Sequence, residues 1–189
     1  MTSILNHRIE NAIATHEKEY RDYLTKAYNR RGFVYMVERF LNHCEDRTRY
    51  GILYFNIKNF IATNELLGVK EGDCILQSFC KSIERSFLHP VYTARVEADH
   101  FVSFVERDRI SLKKLEEFCN QTFEIYNKKI RVHSCCGIFY LKDENMPVAG
   151  MVDRAKLAKQ HIVDEYLKPY AVFDQKMEME YIDDRCPGR

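Results

Sequence analysis

The chain has 189 residues, a length that corresponds to one domain with some excess. Lysine and arginine number 29 against 28 aspartates and glutamates, and the resulting net charge of +1 argues against a general nucleic-acid binder. Hydrophobic residues make up 46% and aromatic residues 13%, so the composition is that of a globular chain and not of a disordered one.

The cysteine content argues against a secreted, disulfide-bonded protein. Seven cysteines are an odd number, and none of them forms a C-x-x-C pair of the zinc type. We therefore expect free thiols in a reduced, cytoplasmic protein. The apolar runs are far shorter than the roughly 20 residues that cross a bilayer, so no membrane segment is expected in this chain.

The first predicted element is a polar N-terminal helix, from Ile4 to about Leu24, with one narrow apolar stripe. Such a stripe is typical of a helix that packs on a partner helix or on the flank of its own domain, and we expect a homodimer through this segment. Thr25 is the candidate cap of a second helix, which runs from about Arg30 to Asn42.

The centre of the chain alternates strands and helices. A buried strand is predicted at Tyr50–Ile57, a short helix at Phe60–Leu67, then a turn and a helix that Asp73 opens. Pro90 ends that helix. The remaining predicted elements are a hairpin of strands 91–96 and 100–106, a helix over 112–126, a strand over 129–140, a helix over 148–166 and a strand over 170–173.

This order of elements predicts an α+β fold. It corresponds to a ferredoxin-like βαββαβ core with an added N-terminal helix, in which helices cover one face of an antiparallel sheet. RNA-recognition modules and the palm of nucleotide-polymerising enzymes share the layout, so it leaves the chemistry open. An RNA-recognition module needs a basic sheet face with exposed aromatic residues, and the neutral charge argues against nucleic acid as a partner.

Three segments carry a family resemblance. They are Asp22 to Phe33 (DYLTKAYNRRGF), Phe55 to Asp73 (FNIKNF…NE…GD) and Arg95 to Phe101 (RVEADHF). In order and spacing they resemble the D-x-L-T…N-R-R-x-F, F-D-I-D-x-F…N-D…G-D and R-x-G-G-D-E-F motifs of the GGDEF domain, the family of bacterial diguanylate cyclases that join two GTP into cyclic di-GMP. A weaker match at Arg154-Ala155 and Ala158 extends the similarity to about residue 174.

The resemblance implies the nucleotidyl-cyclase and polymerase-palm version of the fold and a division of the chain. Residues 1–21 would be a connecting helix that transmits a signal, residues 22–176 the GGDEF domain, and residues 177–189 a C-terminal tail or linker. Members of the family commonly lie next to a sensory domain or an EAL phosphodiesterase domain, and both are candidate neighbours in a larger protein.

The sequence departs from the family at the positions that hold metal. Members of the family hold divalent cations against the triphosphate with carboxylates, since Mg²⁺ prefers hard, anionic oxygen ligands. Asn56 stands at the first carboxylate position and Lys58 at the second. Asp99 keeps the third position of the signature, so any metal site would consist of Asp99 with the neutral oxygen of Asn56. We expect no cofactor, or Mg²⁺ if any activity is retained.

The rest of the signature is altered as well. Glu97 and Ala98 replace the two glycines that let the chain approach a nucleotide, and His100 replaces the following glutamate. Ile61 and Val163 fall at the positions of two phosphate-binding lysines, although Lys156 and Lys159 lie near the second. No R-x-x-D product-inhibition motif precedes the hairpin, where residues 88–91 are Leu-His-Pro-Val.

Two residues match the guanine-recognising pair of the family. Asn64 offers an amide and Asp73 a carboxylate, the groups that bind the edge of a guanine base. The competing interpretation is structural, because Asn64 falls between a helix and a turn and Asp73 is a candidate helix cap. Guanine nucleotide is thus a candidate ligand of a nucleotide-binding site formed by this pair.

Three hypotheses follow. The first is a catalytically degenerate GGDEF domain that acts as a regulatory or interaction module in bacterial cyclic di-GMP signalling. Its vestigial catalytic position is Asp99, with Glu97, Ala98 and His100 beside it. The alternatives are an active diguanylate cyclase with unusual ligands and a nucleotide-binding regulator that senses GTP.

Overall fold

The computed structural model describes residues 19–164, 166–177 and 179. Most of the predicted N-terminal helix and the predicted tail lie outside these residues. The helices are α1 (Arg30–Leu41), α2 (Phe60–Leu67), α3 (Val69–Glu84), α4 (Leu112–Phe118) and α5 (Val148–Gln160). The strands are β1 (Tyr50–Ile57), β2 (Tyr92–Glu97), β3 (His100–Glu106), β4 (Asn120–Ile125), β5 (Lys128–Tyr140) and β6 (Tyr170–Val172).

The sheet places β1 at its centre. The strand order is β2-β3-β1-β5-β4, and β6 pairs in parallel with β5. β1 is antiparallel to both neighbours, with Tyr54 opposite Val102 on β3 and Gly137 on β5. This arrangement is the antiparallel βαββαβ core that the sequence predicts, extended by the hairpin of β4 and β5.

Helices cover both faces of the sheet, and the prediction that they cover one face is wrong. Alternate residues of β1 point to opposite sides, and every residue from 51 to 57 is buried. Ile52 and Tyr54 belong to the cluster that α1 and α5 complete, whereas Leu53 and Phe55 belong to the cluster that α3 completes. The central strand therefore reads as a continuous apolar run, without the alternation of a half-exposed strand.

The chain enters the domain through a turn, and two predictions about this region are wrong. The helix expected to reach Leu24 ends at Tyr20, because the Asp22 carboxylate accepts hydrogen bonds from the backbone nitrogen and the hydroxyl of Thr25, both at 2.8 Å. Thr25 does not cap α1. The cap is Asn29, whose side-chain oxygen accepts from the backbone nitrogen of Gly32 at 2.8 Å.

The predicted helix over residues 112–126 is wrong in its second half. α4 ends at Phe118, Cys119 follows it, and residues 120–125 form β4, in which exposed positions alternate with half-buried or buried ones. Tyr126 and Asn127 form the two-residue turn to β5, with φ of 48° and 62°. Two successive positive φ values are the requirement of the tight hairpin turn, and asparagine tolerates that conformation.

Two other helices differ from the prediction at their ends. α3 begins at Val69, so Asp73 lies inside the helix and is not its cap. A single residue, Gly68 with φ of 106°, separates α2 from α3, and only glycine adopts that conformation without strain. α5 ends at Gln160, before the predicted end at Tyr166.

We predict that Gly137→Ala destabilises the domain by about 1–3 kcal/mol or more, the usual cost of overpacking a core. A Cβ atom there would overlap the carbonyl oxygen of Ala155 and lie 2.5 Å from the backbone nitrogen of Lys159, so α5 would have to move off the sheet. The free energy of unfolding in urea measures the effect.

Gly150→Ala is the matched control for that measurement. Gly150 lies on α5, the helix that packs against Gly137, and a Cβ atom at Gly150 would meet nothing closer than the Met146 side chain at 3.5 Å. Because alanine is more favourable than glycine in a helix interior, the free energy of unfolding of this variant should rise by up to about 1 kcal/mol. Equal stability of the Gly137→Ala variant and the native chain would contradict the close approach of α5 to β5.

Candidate functional site

The candidate site lies where β1 ends beside the β2–β3 hairpin. Ala98 and Asp99 form the turn of that hairpin, and a register shift between Arg95 and Glu97 places Glu97 opposite His100. Asn56, near the end of β1, is the Cα partner of His100. The sheet register therefore brings together Asn56, the retained Asp99 and the three altered positions of the signature.

Asn56 and Asp99 are joined by a side-chain hydrogen bond. The Asn56 amide nitrogen donates to Oδ2 of Asp99 at 2.7 Å. Asn56 is 9% exposed and the Asp99 side chain 18% exposed, so the bond is largely shielded from water. The amide thus gives Asp99 the positive partner that a cation would otherwise supply.

Tyr54 and His100 continue this network. The Tyr54 hydroxyl lies 2.6 Å from Nδ1 of His100, whose Nε2 lies 3.6 Å from Oδ1 of Asp99. Burial lowers the pKa of His100, and Lys159 and Lys156 lower it further, against the opposing effect of Asp99 and Glu97. The neutral imidazole is favoured, so it can accept a hydrogen bond from Tyr54.

Glu97 has opposite charges on several sides. Its carboxylate lies 3.4 Å from Nη1 of Arg30 on α1 and 3.4 Å from Nζ of Lys156 on α5. Nδ1 of His100 is 3.7 Å away. The second guanidinium nitrogen of Arg30 contacts Asp153 at 3.2 Å. Sequence reasoning found Glu97 but not the contacts with Arg30 and Lys156, because they join residues more than 55 positions apart.

A second ion pair ties the opening turn to the hairpin. Arg95 Nη1 lies 3.4 Å from both carboxylate oxygens of Asp22, and its Nε donates to the carbonyl oxygen of Ala98 at 2.7 Å. Both side chains are largely buried, at 13% and 14% exposure. A cavity of about 360 Å³ lies beside this pair, lined by Asp22, Tyr23, Asn29, Arg30, Arg31, Arg95, Val96, Glu97 and Ala98.

The two residues matched to guanine recognition lie on different helices. Asn64 is on α2, and its side-chain oxygen is buried against Gly72 without a hydrogen-bond partner. Asp73 is half-buried on α3. Within the described part of the chain the Asp73 carboxylate makes no hydrogen bond or ion pair, which agrees with its place inside the helix.

The remaining positions from the family comparison supply few cations. Ile61 is 76% exposed on α2, and Val163 is 99% exposed beyond the end of α5. Lys156 and Lys159, three residues apart on α5, are the lysines that act on the hairpin through His100. Lys58, at the second carboxylate position, follows β1 directly, and its backbone nitrogen donates to the carbonyl oxygen of His133 at 2.8 Å.

The site does not fit a magnesium ion. Of the two candidate ligands, one is an amide that donates to the other, and a lysine stands at the remaining acidic position. Among the described residues there is no group of three or more His, Cys, Asp or Glu side chains that could hold a metal ion. None of the described cysteines forms a disulfide.

Among the described residues, no helix combines the length and apolar character that a membrane crossing requires.

Comparison with known proteins identifies the family. Residues 19–161 match the family described as diguanylate cyclase, GGDEF domain, and the chain belongs to it. The domain is of the type found in cyclic di-GMP signalling, and the resemblance stated from the sequence is confirmed.

Individual relatives agree with this assignment. The chain is 25% identical over 162 residues to the bifunctional diguanylate cyclase/cyclic di-GMP phosphodiesterase MucR of Pseudomonas aeruginosa, a match that covers 82% of this chain and 24% of that protein. The chain thus spans about a quarter of that relative.

Solved structures show the same fold. The coiled coil and GGDEF domain of DgcB from Caulobacter crescentus, solved in complex with c-di-GMP, superposes with a TM-score of 0.72 at 17% identity, over 90% of this chain and 94% of that one. The GGDEF domain of PA1120 (TpbB or YfiN) from Pseudomonas aeruginosa superposes with a TM-score of 0.70 at 18% identity. The match covers 86% of this chain and 99% of that one.

Proposed function

We propose that this chain is a catalytically inactive GGDEF domain that acts as a regulatory or interaction module in cyclic di-GMP signalling. The observation that carries the proposal is the hydrogen bond from the Asn56 amide to the Asp99 carboxylate. A carboxylate at position 56 would repel Asp99 and require a cation between them, whereas the amide removes that requirement. The pair of Asn56 and Asp99 is therefore stable without a metal ion.

The surroundings of the hairpin support the same proposal. Glu97 adds a negative side chain where the family has glycine, and the cations nearest to it, Arg30 and Lys156, are already paired with it. A triphosphate approaching the hairpin would meet a carboxylate and no free cation among these three residues. The electrostatics therefore disfavour GTP at this end of the sheet.

The neighbours and the assembly state belong to the proposal as well. Because the matched relative is about four times longer than the match, an adjacent sensory or EAL domain is a reasonable partner. We propose that the N-terminal segment mediates a homodimer in such a protein. Light scattering of the whole chain against a chain that begins at Glu19 measures its contribution.

We expect the purified chain to make no detectable cyclic di-GMP from GTP with Mg²⁺ or Mn²⁺, because Asn56 and Lys58 replace metal-binding carboxylates and Glu97 and Ala98 replace the two glycines of the signature. Chromatography of the reaction mixture measures the product, with an active diguanylate cyclase assayed in parallel. A product peak that disappears in the Asp99→Ala variant would establish the alternative, an active cyclase with unusual ligands.

A second candidate function is guanine binding by Asn64 and Asp73. The observation that favours it is that neither polar group has a protein partner among the described residues, although the Asn64 oxygen is buried. A buried polar atom without a partner costs about 1–3 kcal/mol, which a ligand can recover. Binding through the base edge needs no metal, so this function is compatible with a degenerate catalytic site.

If the pair binds guanine, affinity should be weak, since no phosphate contacts add to it. Guanosine or GMP should bind better than GTP, because the Glu97 carboxylate disfavours the triphosphate. A hydrogen bond to a charged group contributes about 1.5–3 kcal/mol, so Asp73→Ala should weaken binding about tenfold or more. Calorimetric titration measures this, with Asp143→Ala, an exposed acid before α5, as the matched control.

Asp99→Ala serves as a second control in the same titrations, because it lies at the hairpin and should leave guanosine binding unchanged. Tight, Mg²⁺-dependent binding of GTP would instead support the GTP-sensing regulator. Guanosine binding that is unaffected by Asp73→Ala would remove Asp73 from the site.

A further inference from the structure

The carboxylate of Glu97 is held as a bound anion would be held. Although its side chain is 44% exposed, its oxygens lie 3.4 Å from Arg30 and 3.4 Å from Lys156, with His100 at 3.7 Å. The two cations come from α1 and α5, so no single element accounts for the arrangement, and the imidazole of His100 on β3, which burial keeps neutral, lies beside them. Two cations that converge from separate elements form a favourable place for an anion.

Arg30 belongs to the N-R-R stretch that resembles the family motif, whereas Lys156 lies between the matched residues Ala155 and Ala158. Neither Arg30 nor Lys156 stands at the two lysine positions of the family, which Ile61 and Val163 occupy here. Lys156 also lies over the ring of Tyr54, 5.9 Å from its centroid, which keeps the ammonium near the hairpin. Lys156 and Arg30 are therefore also positioned by contacts with residues other than Glu97, since Lys156 lies over Tyr54 and Arg30 contacts Asp153.

We propose that Arg30 and Lys156 form a binding site for a phosphate-type anion, and that Glu97 covers this site as a tethered internal anion. The native chain would bind such anions poorly because its own carboxylate competes at very high local concentration. This inference goes beyond the proposed function, since a chain without cyclase activity need not have a covered anion site.

The charge balance sets the size of the expected effect. Arg30 and Lys156 face Glu97, and Asp153 neutralises part of Arg30 at 3.2 Å. Removing the Glu97 charge leaves the pair with one uncompensated positive charge. The attraction between this positive charge and an anion grows with the charge of the anion, and pyrophosphate carries several negative charges. We therefore expect affinity to rise at least about tenfold.

The test is calorimetric titration of the whole chain with sodium pyrophosphate in the absence of divalent metal. Glu97→Gln keeps the shape of the side chain and removes its charge, and it should bind pyrophosphate at least about tenfold more tightly than the native chain. Glu97→Gln with Lys156→Met should return to the native affinity, because the gained contact needs the ammonium.

Glu117→Gln is the matched control, an exposed glutamate on α4 that changes the net charge by the same amount. It should bind like the native chain. Glu97→Ala provides a second way to free Arg30 and Lys156 from their carboxylate partner. Circular dichroism confirms that each variant is folded. Pyrophosphate affinity that is equal in the native, Glu97→Gln, Glu97→Ala and Glu117→Gln chains would overturn the proposal.

An equal gain in Glu97→Gln and Glu117→Gln would also overturn it, since net charge alone would then explain the result. These outcomes are independent of the cyclase assay. Cyclic di-GMP production would contradict the proposed function and leave the pyrophosphate comparison unchanged, whereas failure of the comparison would leave the inactive catalytic site in place.

Discussion

The hydrogen bond between Asn56 and Asp99 determines how this end of the sheet is organised. β1 is buried along nearly its whole length, and its register with β3 fixes Asn56 beside the hairpin turn. A charged carboxylate in such a place needs a partner, because burial of an unpaired charge is costly. The Asn56 amide supplies that partner from within the chain.

The polar groups around this bond are satisfied in the same way. Burial lowers the pKa of His100, which lies between Tyr54 and Asp99, and the Glu97 carboxylate is paired with cations from α1 and α5. At the position of the family signature these groups therefore form a network of internal hydrogen bonds and ion pairs. The network links the hairpin to α1 and α5.

The sequence predicted the parts of this structure that local patterns specify. The bounds of β1 and β3 follow from apolar runs, and the motif spacing located Asn56, Asp99 and His100. The β4 strand was missed because Phe118, Phe123 and Tyr126 also fit a helical stripe. The turn at Tyr126 and Asn127 that pairs β4 with β5 is recognised only from its positive φ values, which the sequence does not give. The Glu97 contacts depend on tertiary packing, which no local pattern reports.

The most direct test of the account is a titration of the isotope-labelled chain with Mn²⁺, followed by nuclear magnetic resonance of the backbone amides. The account predicts no selective, saturable broadening at Asn56 and Asp99 in the native chain, and selective broadening there in the Asn56→Asp variant, where two carboxylates face each other. Saturable broadening of these two amides in the native chain would show a functional metal site and contradict the central claim.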